Sequence, residues 1–376
     1  MTAALIGAST AGRAAEWSYT PILTLGSDYD TNPYLSPTLH GDTAAISGSF
    51  LTKLARNTDT LSIALSPQVD YEWYSDRQYG HASDVSLAGS ASWTGERGSL
   101  VANGQWADQS LVSAERFDTG VFDANTRRLM GEAAATWTDV VTERQRLAVT
   151  GSYQSIAYSS DVPTTLASSK YSSVGVTDGF IHSARLEIDV GATVGYFTSQ
   201  IQTGATYSYA ANVGFQWSGT ERLTLSGYVG ANRLDYGSTV AQSAIGNLKL
   251  AYSTPVGSLS LSAERGASPS GYGVLTERDV VQFQWSRSLA ERWTFVYNID
   301  LYRITDSLGL LSIDDRTFAD TSATLSWRAT EHWTVSGRAL FGGSRLNEFR
   351  GPGASAREWQ EGVFATWSPN PHAISR

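Results

Sequence analysis

Cysteine is absent from the 376 residues. That excludes a disulfide framework, a thiolate metal site and a cysteine nucleophile. Basic charge is in short supply: 27 Lys and Arg stand against 36 Asp and Glu, a net charge of -9. A nucleic-acid partner asks for a basic face, so that class is excluded as well. Histidine is scarce at five residues. His182 and His332 fall at expected short turns, His372 falls near the end, and His40 and His81 fall on neighbouring loops with Asp42 close by. A surface Ser-His-Asp site would need such residues on the loop side. Two loop histidines arise without any catalytic need, and the chain is read as a non-enzyme. No metal motif, phosphate loop or dinucleotide fingerprint stands in a fitting context, so no cofactor is expected. Nor is there a run of about 18 apolar residues, which excludes a transmembrane helix. A transmembrane barrel stays open, because it hides its apolar surface in alternate positions.

What fills the chain is period-two alternation. In "DTLSIALSPQVDYEWY" (59–74), Leu61, Ile63, Leu65, Val69, Tyr71 and Trp73 alternate with Ser62, Ala64, Ser66, Gln68, Asp70 and Glu72. Strands of soluble proteins usually run about 5–6 residues, whereas a tilted strand crossing a bilayer needs about 9–11. The same pattern sets Leu186, Ile188, Val190, Ala192 and Val194 against Arg185, Glu187, Asp189 and Thr193. It recurs over 205–217 and 291–302, and helical spacing explains none of these segments. Roughly 18 segments follow from 16–28 to 356–368, with 171–181 the faintest.

Connections mostly alternate short and long. "RNTD", "HSAR", "SGTER" and "SLAER" are short, while 27–41, 109–125, 159–170, 304–315 and 343–355 are long. Trp93, Trp137, Trp217, Trp293, Trp327, Trp333 and Trp367 all sit at or next to a short turn or the C-terminal end. That placement predicts an aromatic girdle at one membrane interface. The expected fold is a single all-β, antiparallel up-and-down transmembrane barrel of about 18 strands, with 16 the alternative. The expected division is a leader or signal remnant over 1–15, a barrel over 16–368 and a C-terminal periplasmic tail over 369–376. An even strand count leaves both termini on the periplasmic side of a bacterial outer membrane.

If the apolar face meets lipid, the other face lines a lumen. Candidate lining residues are Asp70, Glu72, Arg128, Glu132, Arg146, Arg185, Glu187, Asp189, Tyr228, Asp300 and Arg338. Mixed charge among many amides suits a hydroxyl-rich solute better than an ion of one sign. "DYDTNPYL" (28–35) adds Asp28, Asp30 and Asn32, spaced like the start of a calcium loop. That loop needs Gly at its sixth position and Glu at its twelfth. Here those are Pro33 and Leu39, so the calcium reading fails. The three polar residues share the lumen parity and are expected to line the extracellular mouth. Pro33 ends the strand there by removing a ladder donor.

The stretch "GSDYDTNPYLSP", followed by long strands with "TER", "GTER" and "ATEHW" turns, resembles large outer-membrane β-barrels encoded with exopolysaccharide secretion systems. The resemblance implies an outer-membrane pore for export of a polysaccharide chain. Implied partners are outer-membrane lipid and lipopolysaccharide, the polysaccharide itself, and periplasmic export components on separate chains. Two other functions stay open. One is a general or sugar-specific diffusion porin, which favours a long constricting loop folded inward. The other is a structural or adhesive barrel with a plugged lumen.

Overall fold

The structure, a computed structural model, describes residues 17–33, 35, 41–116, 118–119, 126–159, 166–237, 239–306, 315–347 and 355–373. The expected leader over 1–15 lies outside the described residues. Eighteen long strands, β1 (Trp17–Asp30) to β18 (Ser355–Trp367), follow one another around a single sheet. Each pairs antiparallel with its neighbours in sequence, and β1 closes the ring on β18 from Leu23↔Trp367 to Asp30↔Gln360. A two-residue strand, β19 (His372–Ala373), prolongs the β18 side of that seam by pairing with Ser18 and Tyr19. Strands run 13–16 residues. The faint segment at 171–181 is the centre of a full strand, β8 (Ser169–Ser183).

Hydroxyl side chains shape the turns at the short-turn end. Thr220 Oγ1 accepts from the amides of Arg222 (3.2 Å) and Leu223 (3.1 Å). Thr330 Oγ1 accepts from His332 and Trp333 in the same way, at 3.2 and 3.1 Å. A side-chain acceptor two or three residues before the next strand satisfies amides that a tight reversal would leave bare. The register steps by one at four of these turns, including Ser218/Thr220 and Ser288/Ala290.

The alternation sorts the side chains as expected. Val69, Tyr71 and Trp73 face out on β3 (Leu61–Tyr74), as do Val190, Val194 and Tyr196 on β9 (Leu186–Ser199). The short-turn tryptophans form the expected ring: Trp93 stacks on Trp137 (5.6 Å between centroids) and Trp293 on Trp327 (6.1 Å). A second ring, richer in tyrosine, lies on the outer face near the long-loop end. It includes Trp73, Trp106, Trp359, Tyr196, Tyr207 and Tyr209. From Tyr207 to Trp217 the strand climbs ten residues. At about 3.4 Å each and a tilt near 40°, that gives an apolar band roughly 25 Å tall.

The inward face is not uniform along the strands. Its buried residues gather at the long-loop end: Asp28, Asp30, Tyr74, Phe197, Leu234, Phe318, Ser344 and Glu358. Three small apolar clusters stand on that part of the inner wall. One joins Leu35, from the connection after β1, to Ile304, Phe318 and Ala356. Another packs Phe197, Leu234 and Leu275. The third packs Ala45, Tyr74, Tyr79 and Ala82. Toward the short turns, inward side chains such as Lys53, Gln216, Lys249 and Gln284 are exposed. The lumen is packed at one end and opens as a vestibule at the other.

Candidate functional site

The connection after β5 (Gly98–Ser110) decides the shape of the lumen. It starts with a short helix, α1 (Leu111–Glu115), whose N-cap Ser110 is extended and accepts from the Ser113 amide. The Ser110 amide in turn donates to Asp84 Oδ1 at 2.8 Å, which turns the chain inward off the strand. Ser110 suits this place because its hydroxyl satisfies an amide that the first helical turn leaves open. Leu111 and Glu115 are fully buried.

From there the loop runs into the lumen, where it meets a second inward-folded segment. Asp118 Oδ1 accepts from Ser270 Oγ (2.8 Å) and Oδ2 from the Gly271 amide (2.7 Å), both in the turn between β13 (Gly257–Pro269) and β14 (Leu275–Ala290). Tyr272 OH donates to the Thr119 carbonyl at 2.9 Å. β14 is nine strands from β5 around the ring, but this turn folds inward, and the Ala167 amide just before β8 donates to the Gly271 carbonyl at 2.9 Å. Arg116 makes an ion pair with Glu358 on β18, and the Asp118 carbonyl accepts from Arg316 on β16 (Asp315–Arg328) at 3.5 Å. These partners point inward, so the loop crosses the lumen rather than lying on the rim.

Glu115 is the hub on the near side. Its Oε1 accepts from Tyr158 OH (2.7 Å) and its Oε2 from Thr119 Oγ1 (2.8 Å). Arg128 Nε stands 3.5 Å from Oε1, and Arg128 also donates to the Ala114 carbonyl at 2.8 Å. Burial, reinforced by the nearby charge of Asp118, pushes the Glu115 carboxyl up to about 6, with Arg128 and the two hydroxyls opposing the rise. Close approach of the far turn requires glycine. A Cβ on Gly271 would lie 2.5 Å from both Glu115 Oε2 and Tyr158 OH. Gly273, two residues on, has φ +72°, and its Cβ would meet that of Ala167 at 2.7 Å.

The residues expected to line the lumen fall in three places. Asp28, Asp30 and Asn32 do face inward but are buried at 3–5 % exposure under the loops. Gln360 donates to Asp28 (2.9 Å), the Asn32 amide to Asp30 (2.8 Å) and Asn32 Nδ2 to the Arg357 carbonyl (3.2 Å). Glu72 joins them, accepting from Tyr74 OH at 2.8 Å. Arg128 belongs to the Glu115 hub. The others lie farther down the wall. Gln68 donates to Asp70 (2.9 Å), Gln154 to Glu132, Arg146 to Glu187 (3.3 Å) and Gln282 to Asp300 (2.9 Å). Asp189, Tyr228 and Arg338 face the lumen from β9, β11 (Leu223–Tyr236) and β17 (Trp333–Asn347). Arg185 stands apart, in the short turn before β9, where Nη1 donates to the Gly219 carbonyl at 3.4 Å. The alternation did not reveal Glu115, Arg116, Asp118, Tyr158, Ser270 or Glu358. The signal available for the first two was "SLVSAER" (110–116) in the longest loop, a cap residue followed by one helical turn ending in a charge pair. His81 stacks between Tyr71 (6.2 Å) and Trp73 (6.3 Å) at the start of β4 (His81–Thr94), and His40 lies outside the described residues.

No family profile matches the chain, and no curated protein matches it in sequence. Several solved structures are similar in shape. OccAB4 of Acinetobacter baumannii is 7% identical with a TM-score of 0.46, over 95% of this chain and 98% of that one. OccK2 (OpdF) of Pseudomonas aeruginosa, in complex with glucuronate, is 10% identical with a TM-score of 0.45, over 95% and 98%. The siderophore receptor PirA of Pseudomonas aeruginosa is 11% identical with a TM-score of 0.45, over 93% and 80%. Likeness at this level carries no argument about what crosses the present barrel.

Proposed function

We propose that this chain is an outer-membrane channel through which small hydrophilic solutes, saccharides among them, diffuse past a fixed constriction. The outward band, roughly 25 Å tall with aromatic rings at both edges, supports the membrane setting. A barrel of 16–18 strands has room for an aqueous lumen. The observation that carries the reading is the loop from Leu111 to Thr119, tied to β7 (Gln145–Tyr158), β13–β14, β16 and β18. A loop held across the lumen by directional bonds narrows the bore, and the solutes that fit are single molecules. The vestibule wall beyond it, with Gln154, Gln216, Gln284, Asn298 and mixed charges, offers hydrogen bonds to hydroxyl groups. The test is the purified full chain in planar bilayers and in liposomes challenged with sugars of increasing size. Stepwise conductance and uptake of mono- and disaccharides, cut off at larger oligomers, are expected. Absence of any conductance would reject the reading.

Export of a polysaccharide chain is the second reading, favoured by one feature. The vestibule opens at the short-turn end, taken as periplasmic, where a chain delivered by separate periplasmic components would enter. Deleting the gene and staining the cell surface for polysaccharide separates the two, since a diffusion channel leaves the surface polymer in place.

A further inference from the structure

The outer wall carries charge near the long-loop end, and most of it is paired: Arg127 with Asp108 (2.7 Å), Arg233 with Asp235 (3.3 Å), Arg265 with Glu277 and Asp279. The face of β15 (Trp293–Asp306) to β18 differs. Arg303 meets Asp315 at 3.2 Å, but Arg345 and Arg357 have no acidic partner among the described residues. All three are exposed. Register brings them together. Arg303 and Arg345 both pair with Thr317, and Gly343, two residues below Arg345, pairs with Arg357. Two guanidiniums without an acidic partner among the described residues, with a third beside them, therefore crown one sector of the apolar band.

Below this crown the wall is hollow. A groove of about 600 Å³ opens there, with Ala323, Gly337 and Ala339 as its floor and Phe295, Tyr29 and Val363 standing higher on either side. Glu361 edges it four residues below Arg357, about 14 Å along the strand. Small side chains between large ones leave a furrow wide enough for hydrocarbon.

We infer that this sector binds one phosphorylated lipid of the outer leaflet, phosphates on Arg345 and Arg357 and an acyl chain in the groove. Charge complementarity selects this occupant. Planar guanidiniums hold phosphate oxygens in pairs, and they stand above the band where a head group would lie. Glu361 then accepts from an amide N–H or a free hydroxyl near the head-group end of the acyl chains. The inference rests on the membrane setting proposed above.

The test uses the full chain in detergent, purified lipid A as the probe, and its dephosphorylated form as the control. Bound lipid is counted by native mass spectrometry, and folding of each variant is checked by the heat-dependent gel mobility of barrels. One lipid A per barrel is expected, weakened about thirtyfold in the double variant Arg345→Ala, Arg357→Ala, with each arginine contributing as basic groups do at an anionic surface. Dephosphorylated lipid should bind as weakly. Ala339→Trp, which fills the groove and keeps the arginines, should weaken binding too. Equal retention by the wild type and the arginine variant would overturn the inference. So would efficient disulfide-linked dimers of Ala339→Cys in lipid A bilayers, which would seat a second copy in the groove. Failure here with normal conductance leaves the channel reading standing. Lipid binding without conductance rejects the channel and keeps the site.

Discussion

Replacing Asp118 with Ala should release the loop from the inward-folded β13–β14 turn. The side chain accepts two bonds there, from Ser270 Oγ at 2.8 Å and the Gly271 amide at 2.7 Å. Hydrogen bonds to a charged group contribute roughly 1.5–3 kcal/mol each, and the half-buried carboxylate of Asp118 places these at or below the lower end. Together they hold the loop by about 2–3 kcal/mol, so the opening equilibrium should rise roughly 30- to 150-fold. Hydrogen exchange reads this directly. The Gly271 amide is a poor reporter because the substitution removes its own partner. Better are the residue 118 amide, which donates to the Glu115 carbonyl (3.1 Å), and the Ala167 amide, which donates to the Gly271 carbonyl (2.9 Å). Both should exchange faster by that factor, and single-channel conductance should rise with new flicker. Asp118→Asn, which keeps one acceptor, should fall between. If exchange and conductance both match the wild type, the Asp118 bonds do not hold the loop and the constriction is misassigned.

Orientation can be checked by charge. Val190→Arg on the outer face should cost roughly 2–4 kcal/mol of folding stability near the band's middle. Gln216→Arg, facing the lumen opposite Glu187, should be mild, and equal refolding yields would reject the assigned faces. The loop should also respond to pH. Glu115 stands at about 6 when docked and near 4.5 when free. A raised carboxyl contributes most below the lower value, and that contribution is lost as pH rises through about 6. The difference is ~2 kcal/mol. Exchange of the loop amides, corrected for the intrinsic rate, should therefore be slower at pH 5 than at pH 7.5, and faster exchange in acid would refute the hub. Glu358→Ala removes the acidic partner of Arg116 inside the lumen. Reversal potential in a salt gradient should shift toward anion selectivity, and an unmoved potential would exclude the pair from the solute path.

Much of the fold was legible because a barrel is built from one repeated rule. Val69, Tyr71 and Trp73 need lipid on the side where Asp70 and Glu72 cannot go, so parity alone assigns the faces. Strand length and tryptophan position then separate a membrane barrel from a soluble sheet. The second aromatic ring was harder to read. Tyr196, Tyr207 and Tyr209 mark it more than tryptophan does, and tyrosine also occurs on the inner wall, as Tyr158 and Tyr171 show. Parity likewise put Asp28, Asp30 and Asn32 on the inner face. It could not tell a wet inner face from a packed one, because that depends on which loops fold back. The loop itself was legible only as a length. Its partners Ser270, Gly271 and Glu358 lie 150 or more residues away, and no local pattern links them to Asp118 or Arg116.

The choice of charged anchors follows from where the loop lies. A strand in this barrel is held by its ladder and by the apolar band, but a segment crossing a hydrated lumen has neither. Apolar contact alone, as Leu111 makes, is non-directional and would let the loop slide. Buried ion pairs add little net stability over apolar packing of the same shape. They are, however, intolerant of misplacement, since a carboxylate such as Glu115 or Glu358 left buried without its donors is strongly disfavoured. Two such carboxylates, one near β7 and one on β18, with Asp118 bonded to the inward-folded β13–β14 turn, tie the segment to three separate elements. Three points define the loop's position in the cross-section, and a constriction selects by size only if that position does not drift.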